Sequence, residues 1–541
     1  MQKELRCFRL TAPAALRQPV LDLLAAQAFE FEPLPFYPDA FMLRAEPQPL
    51  GSSLAARFGL IYIQDPSSML PALALLEAGR KAGLATAQPG GPAVLDMCSS
   101  PGGKSSLLAR NLPGASAGFV LANEPGGKRL LTLRRNLEAM NMLRAASCEF
   151  SAEKLPLPSA GGAWKPASPW PGWDMILLDP PCSGWGTVEK NPQVLELWQG
   201  DKVKPLIGLQ KMLLREAARL LKPGGVLVYS TCTVNVRENE EQISWALNEL
   251  NDEFAAAGPG HGGPGSAGPD SARHIQASLE LMPLEPFPGF GFDEPELGLS
   301  GVLRVSMGSP LGQGFFLAAL RKNPGSPALP PAPAAPPDVR GGKKDKRGGK
   351  SEALLREPEP APFSWLEALD SPEQCASYLA ALSAGQKKFL RGSALDAEGG
   401  EGRKGREDLA RIPASALEGP LLCPALLPPG RILARGGRVF FYPEAGLSLL
   451  PASFPWQGLP LGRSAPGSRP RPETSLRALM PAPEAATANG ASVLNLEEVD
   501  PLQALLSGQS LRLESAGPEA GLYYKGLPLC RLKARGGRVF I

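Results

Sequence analysis

The chain is nearly without histidine: its 541 residues hold only His261 and His274, and the first lies in the Gly/Pro-rich stretch 258–269. Histidine acid/base catalysis is thereby set aside, and proton-transfer groups are to be sought among Asp, Lys and Cys. The eight cysteines include no Cys-x-x-Cys spacing. Neither a disulfide framework nor a zinc ribbon is indicated, so reduced thiols and no metal are expected. No apolar run reaches membrane-spanning length, and Met1 to Leu10 carries Lys3, Glu4, Arg6 and Arg9. A soluble cytoplasmic monomer with no membrane partner is the expectation. Strong net charge is lacking too, at +3, so any nucleic-acid binding must come from local basic surface.

Glycine and proline are abundant, 60 of each, close to the level that marks low-complexity segments. With this length, two or three compact units and some linker are expected. Residues 1–88 mix short helical and strand patterns as a small α+β unit, in which Asp65 or Ser68 suits the start of a helix. From 89 to 322 apolar strands alternate with glycine turns and helices: Ala93 to Met97, Phe119 to Ala122, Met175 to Leu178 and Val226 to Tyr229. This is the α/β signature. The helix before the last strand has apolar residues at 206, 209, 213, 217 and 220 and is expected to stop at Lys222-Pro223-Gly224-Gly225. Leu303 to Ser306 and Phe315 to Leu320 read as a closing antiparallel pair. Residues 323–362, with a basic run over 343–350, read as a disordered tether. Residues 363–541 form a C-terminal region in which Arg-Gly-Gly-Arg-Val-Phe occurs at 435–440 and again at 535–540. Two glycine turns leading into strands account for that repeat as well as a duplication does.

Two cysteines have a chemical context. Asp179-Pro180-Pro181-Cys182-Ser183-Gly184 and Ser230-Thr231-Cys232-Thr233 each follow a strand, so two thiols at strand ends are able to face one pocket. Taken singly, each is more often a small buried residue than a nucleophile. Upstream, Asp96-Met97-Cys98-Ser99-Ser100-Pro101-Gly102-Gly103-Lys104 is a strand end, a small-residue turn and a helix start. Such a turn lets backbone approach a ligand closely, although a structural turn looks similar and the phosphate-loop pattern is missing. About twenty residues on, Glu124 follows the next strand, where this fold class grips ribose hydroxyls.

Gln64-Asp65-Pro66-Ser67-Ser68-Met69, the segment from Cys98 to Lys104, Asp179 to Gly184 and Ser230 to Thr233 occur in the order seen in RNA 5-methylcytosine methyltransferases. Over residues 20–322 the chain resembles that nucleolar-protein/Sun family, and most of all its bacterial RsmF-type small-subunit rRNA members. Gly521 to Leu529 is similar to their PUA-like RNA-binding tail. The resemblance implies a Rossmann-like class I methyltransferase domain flanked by the N-terminal α+β unit and a PUA-like C-terminal region. It also implies S-adenosyl-L-methionine as cofactor, held by Cys98, Ser99, Ser100, Pro101, Gly102, Gly103, Lys104, Glu124 and Asp179. RNA, chiefly 16S rRNA, is the implied partner. One position departs: Ser151 stands where the family has an acidic residue contacting adenine, with Glu149 and Glu153 beside it.

Carbon 5 of cytosine takes a methyl group only after a thiolate adds at C6. The resemblance assigns that attack to Cys232 and the release step to Cys182, with Asp179 against N3 or the exocyclic amine. Lys190 and Trp185, after Cys182, are candidates for charge and stacking, and Lys128, Arg129, Arg134 and Arg135 for a basic helix face. A tRNA substrate and an assembly factor without catalysis are the alternatives. An amino-directed methyltransferase would carry an aromatic at position 182 and have no use for Cys232.

Overall fold

A computed structural model describes residues 6–84, 91–113, 118–151, 155, 172–197, 200–257, 278–327, 329, 410–450, 454–464, 469–513 and 517–541. The basic run at 343–350, both histidines and Glu153 lie outside these residues. Near the N-terminus β1 (Cys7–Leu10), β2 (Glu30–Pro33), β3 (Ala40–Ala45) and β4 (Ile61–Ile63) form an antiparallel sheet of order β2-β3-β1-β4. The Asp65 carboxylate accepts from the Ser67 amide and hydroxyl and so caps the turn that leads into helix Leu70–Lys81.

The central sheet contains β5 (Ala93–Asp96), β6 (Phe119–Asn123), β7 (Ala145–Cys148), β8 (Trp173–Leu178), β9 (Leu221–Thr231), β10 (Leu279–Met282), β11 (Phe292–Asp293), β12 (Leu303–Val305) and β13 (Phe315–Lys322). β7-β6-β5-β8-β9 run parallel, and β13 closes against β9 antiparallel. Strands β5 to β8 are buried at every position, as a sheet covered on both faces requires. From β5 the chain runs out to β6 and β7, then returns to β8 on the other side. The crevice beyond the C-terminal ends of β5 and β8 is therefore the topological switch point where such sheets bind ligands.

Two details differ from the sequence reading. Helix Lys204–Leu220 ends before Lys222, because Leu221 already has extended backbone and pairs with Trp173; the Pro-Gly-Gly turn bulges within the start of β9. Strand β7, made of Ala145-Ala146-Ser147-Cys148, has too little apolar bulk to stand out by hydropathy.

The C-terminal region supplies β14 (Ala410–Ile412), β15 (Gly430–Arg435), β16 (Arg438–Pro443), β17 (Trp456–Gln457), β18 (Leu459–Arg463) and β19 (Arg471–Pro472), then β20 (Ser492–Leu496), β21 (Leu511–Arg512), β22 (Glu519–Tyr524), β23 (Leu527–Arg535) and β24 (Arg538–Phe540). Each Arg-Gly-Gly-Arg copy is a two-residue hairpin turn, with φ of 56° and 73° at Gly436 and Gly437, and 59° and 69° at Gly536 and Gly537. Both central residues have positive φ, the condition that makes Gly-Gly suitable in a primed turn.

This region is tied into the rest of the molecule. β17 pairs antiparallel with β7 and so adds an edge strand to the central sheet, and the Trp456 ring lies 6.0 Å from Phe119 and 4.9 Å from Tyr442. Leu522, Leu529 and Leu532 share one apolar core with Phe8, Leu10 and Leu43 of the N-terminal sheet. Buried Arg477 donates to the carbonyls of Ala139 and Gly59, both at 2.7 Å, and so links all three parts.

Candidate active site

The loop between β5 and helix Gly103–Asn111 carries most of the expected cofactor residues. Ser99 is buried; its amide donates to the Asn123 carbonyl at 2.9 Å and its hydroxyl to the Asp96 carbonyl at 2.8 Å. Ser100 Oγ donates to the Arg129 carbonyl, while the exposed Pro101 offers its carbonyl to Asn136 Nδ2. Gly102 sits at φ 105°, and a Cβ on Gly103 would lie 2.9 Å from the Tyr62 ring. These two glycines let the loop turn sharply and press against β4.

Three carboxylates converge on half-buried Cys98. Burial, then the charges of Asp96, Asp179 and Glu124, pushes its thiol up, which leaves it a neutral packing group. Asp96 is buried; its Oδ2 accepts from Ser105 at 2.6 Å while Oδ1 has no hydrogen-bond partner among the described residues. Glu124, at the end of β6, is 4% exposed, accepts from the Gly126 amide at 2.8 Å and pairs with Arg129 at 3.3 Å. Arg129 is thus engaged in the loop, and Arg134 Nε donates to Ser147 Oγ at 2.9 Å. Ser151 is half-buried just past β7; neighbouring Phe150 packs 5.1 Å from Phe454 of the C-terminal region.

Asp96 carries a pH signature. Burial chiefly raises its carboxyl from the ordinary 3.8 to about 6. The folded chain therefore keeps a proton that the unfolded chain has lost, so stability falls as pH rises from about 4 through about 6. A difference of this size corresponds to about 3 kcal/mol. Asp96→Asn is expected to raise the unfolding temperature of the ligand-free protein at pH above about 7, with the gain fading toward pH 4. Thermal unfolding followed at both pH values checks this, and an equal shift at the two would contradict it.

Beyond β8 and β9 the two thiols meet, with Cys182 Sγ 3.3 Å from Cys232 Sγ. The hydrogen bond with Cys232, then burial, drives the Cys182 thiol well above its ordinary value. Cys182 therefore keeps its proton in the ligand-free pair. Asp179 accepts from Ser230 Oγ at 2.7 Å and from Lys104 Nζ at 2.6 Å. Burial opposes the Lys104 ammonium, but Asp179, Asp96 and Cys232 together hold its proton above the ordinary value. Lys104 is thereby a fixed cation between the cofactor loop and the thiols. Trp185 is half-buried with its indole N–H unpartnered among the described residues. Lys190 reaches Asp65 at 2.7 Å, tying the loop after Cys182 to the N-terminal unit.

Three supporting groups escaped the sequence reading. Asp96 was legible only as the end of its strand. Arg9, fully buried, donates to the Gly103 carbonyl at 2.7 Å, Ser106 Oγ at 2.6 Å and Gln64 Oε1 at 2.9 Å. Burial chiefly lowers its guanidinium to about 10. Glu238, also fully buried, accepts from the Ser183 amide and hydroxyl, Gln210 Nε2 and Asn235 Nδ2, so it braces both cysteine loops. No local motif marks Arg9 or Glu238; Arg9 acts on Gly103, 94 residues on, and Glu238 on Ser183, 55 residues back.

A doubly wound sheet with an antiparallel closing strand, a glycine loop at its switch point and two thiols beyond the ends of β8 and β9 defines a Rossmann-like methyltransferase fold. Residues 85–264 match the family described as 16S rRNA methyltransferase RsmB/F. Ribosomal RNA small subunit methyltransferase F of Escherichia fergusonii is 32% identical over 314 residues, which is 57% of this chain and 55% of that protein. The same-named protein of Salmonella heidelberg is 32% identical over 315 residues, with the same shares. The chain is similar to this RsmB/F methyltransferase family over residues 85–264 and to RsmF-type relatives over a longer stretch, and it spans little more than half the length of the curated relatives it matches. Among solved structures, a methyltransferase homolog protein from Pyrococcus horikoshii shares 31% identity at a TM-score of 0.42, covering 59% of this chain and 86% of that one.

Proposed function

We propose that this protein methylates carbon 5 of cytosine in RNA, with S-adenosyl-L-methionine as methyl donor and 16S rRNA of the small ribosomal subunit as substrate. The observation that carries this reading is the 3.3 Å approach of Cys182 and Cys232 beside an Asp179 fixed by Ser230 and Lys104. The names of the relatives, small subunit methyltransferase F, support the rRNA part of it.

The crevice fits the cofactor's chemistry. The charges of Asp96, Glu124 and Asp179 all act at Cys98, with Glu124 paired to Arg129 and Asp179 to Lys104, and the orphaned Asp96 Oδ1 is a buried acceptor in want of a donor. Gly102 and Gly103 allow close approach at the start of the helix, and Glu124 is the group for the ribose hydroxyls. Ser151 and Glu149 are the polar groups offered to adenine. When bound, S-adenosyl-L-methionine supplies an electrophilic methyl group.

The chain's own residues then act on the cytosine. The Cys232 thiolate adds to C6, forming an S–C6 bond and making C5 electron-rich. Asp179 hydrogen-bonds the N3 and amine edge, and the Lys104 ammonium offsets charge that builds there. Once Cys232 is bonded to C6, its hydrogen bond no longer holds the Cys182 proton; Cys182 releases that proton to water and, after C5 carries the methyl group, takes the remaining C5 proton. The S–C6 bond breaks, the 5,6 double bond returns and the Cys232 thiolate is regenerated. Because a stacked base hides its C6 face, the target is single-stranded or flipped out. The N-terminal unit and the PUA-like C-terminal region are the RNA-binding parts of this proposal, with the methyltransferase domain over residues 89–322 between them.

Bisulfite sequencing of 16S rRNA and tRNA from cells with and without this protein tests the reading. A cytosine in 16S rRNA that resists conversion only when the protein is present is the expected result. Loss of protection in tRNA alone would replace rRNA with tRNA, and no difference anywhere would reject the activity.

A further inference from the structure

The sheet made by β14, β15, β16, β18 and β19 carries an arrangement that repels itself. Arg435 at the end of β15 pairs with Arg438 at the start of β16, Arg438 pairs with Arg463 of β18, and Arg463 pairs with Arg471 of β19. Directly paired residues of an antiparallel ladder project from the same face, and like charges placed so are unfavourable. Four guanidinium groups thus line up across four neighbouring strands, a span of about 14 Å at the usual strand spacing. Arg435, Arg463 and Arg471 are exposed and Arg438 is half-buried. Among the described residues none of the four forms an ion pair, and the buried Nε of Arg438 has no hydrogen-bond partner.

Both signs of charge surround the row. Arg134, on the helix Gly127–Ala139, feels the like charge of Arg438 and the opposite charge of Glu149. The carboxylates nearby are Glu149, Glu138, whose own proton affinity is raised chiefly by burial, and Glu473. Guanidinium forks match phosphate oxygens two at a time. On the same face as Arg438, Phe440 and Tyr442 are buried in the core, so the row has no apolar anchor for insertion into a bilayer.

We propose that the row Arg435–Arg438–Arg463–Arg471 is a binding track for the phosphodiester backbone of single-stranded RNA. This rests on the RNA-methylation reading and adds to it a place where substrate is gripped away from the thiols. Binding of a fluorescein-labelled single-stranded oligoribonucleotide to the full chain, measured by anisotropy between about 50 and 200 mM salt, tests it. The Arg463→Gln/Arg471→Gln double variant and the variant with all four arginines changed to Gln are compared with the wild type. Each lost phosphate contact is expected to reduce the slope of log K against log salt by about 0.7, hence by about 3 for the quadruple variant, with affinity falling at least about tenfold. Replacing all four by Lys is expected to restore most of the slope, and the affinity for S-adenosyl-L-methionine is expected to hold in every variant.

An unchanged slope and affinity in the quadruple variant, or in the exposed double variant if the quadruple fails to fold, overturns the track while leaving methylation standing. A wild type that binds no oligoribonucleotide overturns both. Vesicles of phosphatidylserine captured through the same arginines in preference to RNA would make the row a lipid-facing surface and also overturn the proposal.

Discussion

Cys182→Ala is expected to accumulate a covalent protein–RNA complex that survives denaturing electrophoresis, whereas Cys232→Ala forms neither complex nor product. The reason lies in the asymmetry of the pair. The two sulfurs are 3.3 Å apart, and Cys182 is the one whose thiol is held well above its ordinary value by the hydrogen bond and by burial. In the proposed mechanism Cys232 makes the bond to C6 and Cys182 serves the release step. Without Cys182 the methylated C5 keeps its proton, elimination stalls and the S–C6 bond persists. Loss of the acid/base group is expected to slow release by about 10²-fold or more. Both variants are expected to bind S-adenosyl-L-methionine normally, because neither thiol belongs to the 98–104 loop. Normal turnover by Cys182→Ala, with no complex formed, would overturn the dual-thiol mechanism.

Much of this site was legible because its parts are local. The loop from Cys98 to Lys104 and the two cysteine segments each sit at a strand end, and strand ends announce themselves by an apolar run followed by small or polar residues. The Gly-Gly turns were legible for the same reason, since a primed hairpin depends on two adjacent residues. What stayed hidden was everything that acts across the sequence. Arg9 is 94 residues from the Gly103 carbonyl it braces, and nothing in the run Cys7-Phe8-Arg9-Leu10 distinguishes a buried clamp from an ordinary surface charge. Strand β17 is two residues long in a proline-rich stretch, yet its pairing with β7 brings the C-terminal region to the edge of the cofactor crevice. Nor does the sequence around Ser151 show that Phe454, some three hundred residues on, packs against Phe150 there.

Glu238 is the group from which the largest indirect effect is expected. It lies between the two cysteine loops and is wholly buried, with four donors on its two oxygens: the Ser183 amide at 2.9 Å, Ser183 Oγ at 2.5 Å, Asn235 Nδ2 at 2.9 Å and Gln210 Nε2 at 3.0 Å. Gln210 Nε2 also donates to the Pro181 carbonyl, and Tyr229 OH donates to the carbonyl of Glu238. Glu238 is a positioning residue, since it touches neither thiol. Glu238→Ala strands these donors in the interior, where each unmade hydrogen bond costs about 1–3 kcal/mol, so a marked fall in unfolding temperature is expected. Glu238→Gln keeps the shape while turning one acceptor into a donor that faces other donors, and it separates positioning from folding. In a Cys182→Ala background, Glu238→Gln is expected to slow formation of the covalent complex by about 10²-fold, the scale of loss for a displacement of about 1 Å at reacting atoms. Affinity for S-adenosyl-L-methionine is expected to stay within about twofold, because the cofactor loop hangs from β5 and has no hydrogen bond to Glu238. Complex formation at the unaltered rate would show that the thiols hold their 3.3 Å approach without this carboxylate.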